Sequence, residues 1–163
     1  MLLYAYPTLQ TLIEQFREHI YERAVRSYGG RKDAESAATY IAEQIISMQT
    51  LEWVQQTLEK VFSRLSQAER LMVQIRYFGL KRKSAKGQLA KEGKQFLCER
   101  SYFRAQEKLL KKIAALLQAA WLDKEYFDKQ VADIEELKHI RRYVQRGRDQ
   151  RLFKREKDLA LKG

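Results

Sequence analysis

At 163 residues the chain can bury a substantial core, either in one domain with appendages or in two small domains. Hydrophobic side chains make up 45% of it, which excludes wholesale disorder, and the single cysteine, Cys98, excludes an intrachain disulfide. The formal net charge of +11 is unevenly placed: 14 basic and 4 acidic side chains lie in residues 63–121, against 6 and 8 in residues 1–62 and 12 and 9 in residues 122–163. Such a local excess is what a nucleic-acid surface or an acidic partner requires.

Helix-breaking residues are scarce in this chain, which has one proline and seven glycines. Long segments rich in Ala, Leu, Glu, Gln, Lys and Arg therefore predict an all-α fold, a helical bundle. No apolar run approaches the roughly 20 residues that a membrane span needs, and the N-terminal residues lack the pattern of a signal peptide. We expect a cytoplasmic protein without membrane contact.

Three helical segments are predicted before residue 63. The first starts at Thr8, and its apolar face repeats at three- and four-residue spacings. The second covers residues 34–48 and the third covers residues 51–62, with a break between them at Thr50. The apolar positions of the first helix are Leu9, Leu12, Ile13, Phe16, Ile20 and Ala24.

The sharpest local signal lies in residues 66–79. Ser66 followed by Glu69 is a capping box, in which the serine hydroxyl accepts from the third amide of the helix and the glutamate reaches back to the cap. Gly79 is suited to end this helix, because a helix commonly terminates on a glycine with a positive φ. The expected buried stripe consists of Met72 and Ile75, flanked by Leu71 and Phe78.

A basic connection and a long, positively charged helix follow. The connection includes a short helix with Ser84 as a plausible cap, and the long helix extends towards Trp121. Its predicted inner face is Tyr102, Ala105, Leu109 and Ile113, and its predicted outer face is Glu99, Arg100, Phe103, Arg104, Glu107, Lys108 and Lys111. Three helices in residues 66–115 with this charge pattern indicate a trihelical helix-turn-helix module.

In such a module the start of the third helix faces base edges, so Arg100 and Arg104 are candidates for reading bases. Other cations are placed for phosphate contacts, either where the second helix begins or further along the third helix. These phosphate candidates are Lys81, Arg82, Lys83, Lys86, Lys108, Lys111 and Lys112.

Several short motifs lie within about 50 of the 163 residues: Leu65-Ser66, Glu69-Arg70, Arg76-Tyr77-Phe78, Leu89-Ala90 and Lys108-Leu109-Leu110-Lys111-Lys112-Ile113. Together they resemble region 4 of bacterial RNA polymerase sigma factors and the sigma-region-4-like regulators of Firmicutes and their phages. The resemblance implies that the third helix reads promoter DNA in the major groove, with base-facing roles for Glu99, Arg100, Phe103 and Arg104. It also implies RNA polymerase core as a second partner.

Three segments are expected: an N-terminal helical region at 1–62, the DNA-binding module at 63–121, and an amphipathic helix with a basic tail at 122–163. The helix at 127–144 would either form a homodimer or pack on its own domain. Trp53 and Trp121 are expected in the core or at helix interfaces.

The spacing of histidine and cysteine matches no metal site, and we find no enzyme signature and no cofactor motif.

These observations predict a nucleoid-associated transcription regulator that binds duplex DNA through a sigma-region-4-like helix-turn-helix. Two alternatives stay open. In one, the chain is a sigma-like factor or a polymerase-binding adaptor whose main partner is protein. In the other, the chain is an RNA-binding or assembly protein that uses its basic helices non-specifically.

Overall fold

A computed structural model describes residues 2–27, 34–80, 89–90, 99–122, 124–130, 134 and 137–146. Over these residues the regular structure is entirely α-helical, which confirms the all-α prediction for that part of the chain. None of the helices described is both long and apolar enough to cross a membrane. The helices are α1 (Leu2–Ser27), α2 (Ala34–Ser63), α3 (Gln67–Tyr77), α4 (Glu99–Ala119), α5 (Lys124–Gln130) and α6 (residues 137–146).

Helix α1 begins at Leu2 and not at Thr8, so Pro7 lies inside it. A proline there removes one backbone hydrogen bond and crowds the preceding turn. Packing of the first two turns offsets that cost, because Ala5 is fully buried. The ring of Tyr6 also lies 4.8 Å from the ring of Phe62 and 5.2 Å from that of Phe78, measured between centroids. The predicted start was therefore wrong because tertiary contacts extend the helix past its proline.

Helix α2 is continuous, and the predicted break at Thr50 was wrong. The Thr50 hydroxyl donates a hydrogen bond of 2.9 Å to the carbonyl oxygen of Ile46, one turn earlier. A threonine whose hydroxyl is satisfied in this way can remain within a helix. Residues 34–48 and 51–62 thus belong to one helix of 30 residues.

Helix α3 has the termini that the sequence predicts. The Glu69 amide donates to Ser66 Oγ over 3.3 Å and the Ser66 amide donates to Glu69 Oε2 over 2.8 Å, so both halves of the capping box form. At the other end Gly79 has a φ of 75°, and the Leu80 amide donates to the Gln74 carbonyl oxygen over 3.2 Å. Met72 and Leu71 are buried, while Ile75 and Phe78 are half-buried against the core.

One hydrophobic core joins all three predicted segments. Helix α1 packs along α2 and also touches α3, and α2 in turn packs on α4. The largest side chains that are almost fully enclosed are Leu9, Ile13, Leu51, Val54, Leu58, Leu122, Phe127 and Leu137. The third helix of the predicted module is therefore anchored on α2, outside the module itself.

The apolar face predicted at 127–144 is buried within the same chain. Phe127 and Leu137 are each 1% exposed and Ile134 is 7% exposed, while Ile140 packs on the core from a half-buried position. These contacts agree with packing on the chain's own domain, and the homodimer stays a prediction. Val131 and residues 147–163 of the basic tail lie outside the described residues.

The α1–α2 hairpin extends beyond this core. Among its described residues after Ile13 and before Leu51, only Ala37 is buried. Large apolar side chains are exposed along this distal half, and the guanidinium of Arg23 lies 5.6 Å from the centroid of the Tyr40 ring. The exposed residues are Tyr21, Val25, Tyr40 and Ile46.

Candidate nucleic-acid interface

The inner face of α4 is the one that the sequence predicts. Tyr102 and Leu109 are each 5% exposed, Ile113 is 2% exposed, and Ala105 is half-buried against the core. Leu117 continues this face for one more turn. The helix is therefore held along most of its length, which fixes the direction in which its opposite face points.

Gln106 is a buried polar residue on this inner face that the sequence pattern did not single out. Its Nε2 donates a hydrogen bond of 2.9 Å to the hydroxyl oxygen of Tyr102, so both polar groups are satisfied inside the core. Tyr102 is thus a core residue and is not exposed to stack on a base. The sequence spacing could have shown that Gln106 belongs to this inner face, since Gln106 lies four residues after Tyr102 and three before Leu109.

Lys112 is committed to an intramolecular ion pair. Its Nζ lies 2.9 Å from Oε1 and 2.8 Å from Oε2 of Glu69, the carboxylate of the α3 capping box. Burial alone would raise the pKa of Glu69, but the hydrogen bonds from Lys112 and Ser66, together with the charge of Lys112, outweigh it and hold this pKa below its usual value. The pair ties α4 to the start of α3, so a phosphate contact by Lys112 would compete with Glu69.

The opposite face of α4 carries four exposed cations, which we call the α4 ridge: Arg100, Arg104, Lys108 and Lys111. The first three are spaced by four residues, so they follow one another about one turn apart. Lys111 pairs with Glu107 over 3.0 Å, but both side chains are largely exposed, at 77% and 68%. Exposed pairs of this type are worth little and break readily for a stronger anion.

The other two base-reading candidates lie at the same end of α4. Phe103 is 52% exposed, and its ring centroid is 5.9 Å from that of Tyr102. An exposed aromatic ring beside two arginines can pack on a thymine methyl group. Glu99 is the first residue of the helix, and its side chain lies outside the described part.

The second helix of the predicted module falls mainly outside the described residues. This concerns the Ser84 cap and four phosphate candidates: Lys81, Arg82, Lys83 and Lys86. Leu89 and Ala90 are described, both are helical, and Leu89 is 5% exposed within the core. A helical segment that lies between α3 and α4 in the sequence therefore packs on the core. The complete helix-turn-helix stays a prediction.

The C-terminus of α4 contradicts the expectation that Trp121 is a core or interface residue. Trp121 is 85% exposed and has a φ of 59°. Its amide donates to the Gln118 carbonyl oxygen, and the Leu122 amide donates to that of Leu117, each over 3.0 Å. This is a Schellman motif in which the left-handed position, usually glycine, is occupied by tryptophan. The motif buries Leu122 and turns Trp121 outwards.

Within the described part of the chain, no group of three or more His, Cys, Asp or Glu side chains is close enough to hold a metal ion. Helix α4 instead presents exposed cations and an exposed aromatic ring on a single side, which is suited to binding a polyanion. In comparisons with known proteins, no family model, curated protein sequence or solved structure matches this chain.

Proposed function

We propose that this chain is a DNA-binding transcription regulator that reads duplex DNA through a sigma-region-4-like helix-turn-helix, with α4 as its recognition helix. The observation that carries the proposal is the division of α4 into a buried face and a ridge of exposed cations. A recognition helix needs both, because the side chains that meet DNA must be held in one orientation by a packed opposite face.

Charge placement supports the same proposal. Residues 63–121 carry 14 basic and 4 acidic side chains, so the excess lies on the segment that contains α3 and α4. Since neutralised phosphates release counterions, a surface of this kind supplies affinity that falls steeply with salt. Arg100, Phe103 and Arg104 add the groups that distinguish bases, namely guanidinium forks and an apolar ring.

The proposal is tested by selecting binding sites from random duplex DNA with the full chain at two salt concentrations. The expected result is a preferred sequence that is bound more tightly than a scrambled duplex at both concentrations. Competition with structured RNA and heparin is measured in parallel. Equal competition by all three polyanions would overturn sequence reading and indicate non-specific binding.

A protein partner is tested separately by mixing the chain with core RNA polymerase. Retention of the polymerase, together with promoter-dependent transcription in the absence of another sigma factor, would replace the regulator by a sigma-like factor. A regulator that uses the module only for DNA should give neither result.

A further inference from the structure

Helix α6 is strongly basic, although the total charge of the C-terminal segment conceals this. Residues 122–136 contain two basic and six acidic side chains, whereas residues 137–146 contain four basic and none that are acidic. The proposed role of α4 does not use these cations. They form a second, separate concentration of positive charge.

Three of these cations are aligned on one side of α6, and we call them the α6 ladder: Lys138, Arg142 and Arg146. They follow one another at four-residue spacing, about one helical turn apart. The opposite side of the helix holds Leu137, which is buried, with Ile140 half-buried against the core. Arg142 and Arg146 are exposed and Lys138 is half-exposed.

A row of cations on the exposed side of a helix is complementary in charge to a polyanion. Duplex DNA is such a polyanion, with one negative charge per about 1.7 Å along its axis.

Ring contacts place α6 near the end of α3. The ring centroid of Tyr143 lies 6.4 Å from that of Tyr4, which in turn lies 4.9 Å from that of Tyr77 at the end of α3. Tyr77 precedes Lys81 by four residues, a span of at most about 15 Å. The chain therefore leaves the end of α3 near the helix that carries the α6 ladder.

We infer that the α6 ladder is a second phosphate-binding surface, which contacts the sugar-phosphate backbone of the same duplex that α4 reads. This inference rests on the proposed function. The α6 ladder adds affinity without sequence preference, because guanidinium and ammonium groups on phosphates carry no base information. It extends the contact with DNA beyond the three helices of the module.

The inference is tested with the double variant Arg142→Gln/Arg146→Gln in the full chain, by fluorescence anisotropy on a selected and a scrambled duplex over a range of salt concentrations. Since each neutralised phosphate contributes about 0.9 to the slope of log K against log salt, the slope should become shallower by about 1.8. Affinity should fall by the same factor for both duplexes. Arg142→Lys/Arg146→Lys should retain most of the slope, because the charge is kept.

The matched control is Arg23→Gln/Arg26→Gln, which removes the same charge from the distal hairpin. Arg23 lies 19 residues beyond Tyr4 on α1, about 28 Å away along the axis, so this variant should keep the wild-type slope. Thermal unfolding of each variant shows that it is folded. A wild-type slope in Arg142→Gln/Arg146→Gln, or an equal loss of slope in the control, would overturn the inference and leave the proposed function standing. A wild-type chain that binds no duplex would overturn both.

Discussion

The two faces of α4 have opposite surroundings. Leu109 is 5% exposed, whereas the neighbouring Leu110 is 39% exposed. Lys112 is paired with the α3 cap, whereas the neighbouring Lys111 pairs with Glu107 on the exposed face. Since one residue along a helix turns the side chain by about 100°, adjacent identical residues have different roles. The inner face should control folding, and the outer face should control DNA affinity.

The largest expected effect comes from truncating the inner face. Leu109→Ala should lower the free energy of unfolding by about 2–5 kcal/mol, because it removes buried methyl groups and leaves a cavity. Urea unfolding measures this change. Leu110→Ala is the matched control and should cost less than about 1 kcal/mol, because surface substitutions have small effects. Similar losses in the two variants would contradict the assignment of the inner face.

The next effect is on binding and comes from the outer face. Arg104→Ala should weaken binding to a preferred duplex by about 1–3 kcal/mol and relax specificity at one base position. Lys108→Ala should weaken binding to all duplexes alike, since a phosphate contact has no base preference. Anisotropy titrations on matched and mismatched duplexes distinguish the two outcomes. Loss of specificity in Lys108→Ala but not in Arg104→Ala would reverse the roles assigned to these side chains.

Lys112 tests whether a cation on α4 serves folding. Lys112→Met should cost about 1 kcal/mol of stability, because it removes a partly exposed ion pair and one partner of the capping-box carboxylate. Lys111→Met is the control and should have an effect near zero, since its pair is exposed. The two variants are compared by thermal unfolding at one salt concentration. An equal loss of stability in both variants would show that the Lys112–Glu69 pair contributes no more than the exposed Lys111–Glu107 pair.

The pH dependence of stability follows from the same pair. The pKa of Glu69 is lower in the folded protein than its usual value, so the folded state holds the carboxylate more firmly in its charged form. The stability that the ionised carboxylate contributes is fully present above about pH 4.3, the usual pKa of glutamate in an unfolded chain. It is lost as the pH falls through the lower pKa of Glu69 in the folded protein. Glu69→Gln should therefore lose less stability than the wild type between neutral pH and this acidic range. Parallel stability curves in urea would contradict this expectation.

The smallest effect concerns the end of α4. Trp121→Gly should raise the free energy of unfolding by about 0.5–1 kcal/mol, because glycine adopts the left-handed conformation without strain. The exposed indole loses little burial when it is removed. A small rise in the unfolding midpoint is the expected result. A clear fall would show that the indole makes stabilising contacts.

Features that depend on nearby residues were predictable from the sequence. The capping box of Ser66 and Glu69, the end of α3 at Gly79 and the inner face of α4 all follow from spacings within one helix. The predicted start of the first helix at Thr8 and the predicted break at Thr50 were wrong. Contacts with other helices extend α1 past Pro7, and a local hydroxyl hydrogen bond keeps Thr50 within α2.

For the candidate site, periodicity predicted which side of α4 is exposed. It could not predict that Lys112 meets Glu69, since that contact spans 43 residues. Nor does the overall charge of residues 122–163 reveal the α6 ladder, because the acidic residues before α6 cancel its four cations.

The central claim, that the start of α4 reads DNA sequence, is tested most directly by the double variant Arg100→Ala/Arg104→Ala. Its affinity is measured on the selected duplex and on a scrambled duplex of equal length and salt. We predict a larger loss on the selected duplex, so that the ratio of the two affinities falls towards one, while thermal stability is unchanged. An unchanged affinity for the selected duplex in a folded double variant would contradict the assignment of α4 as the recognition helix.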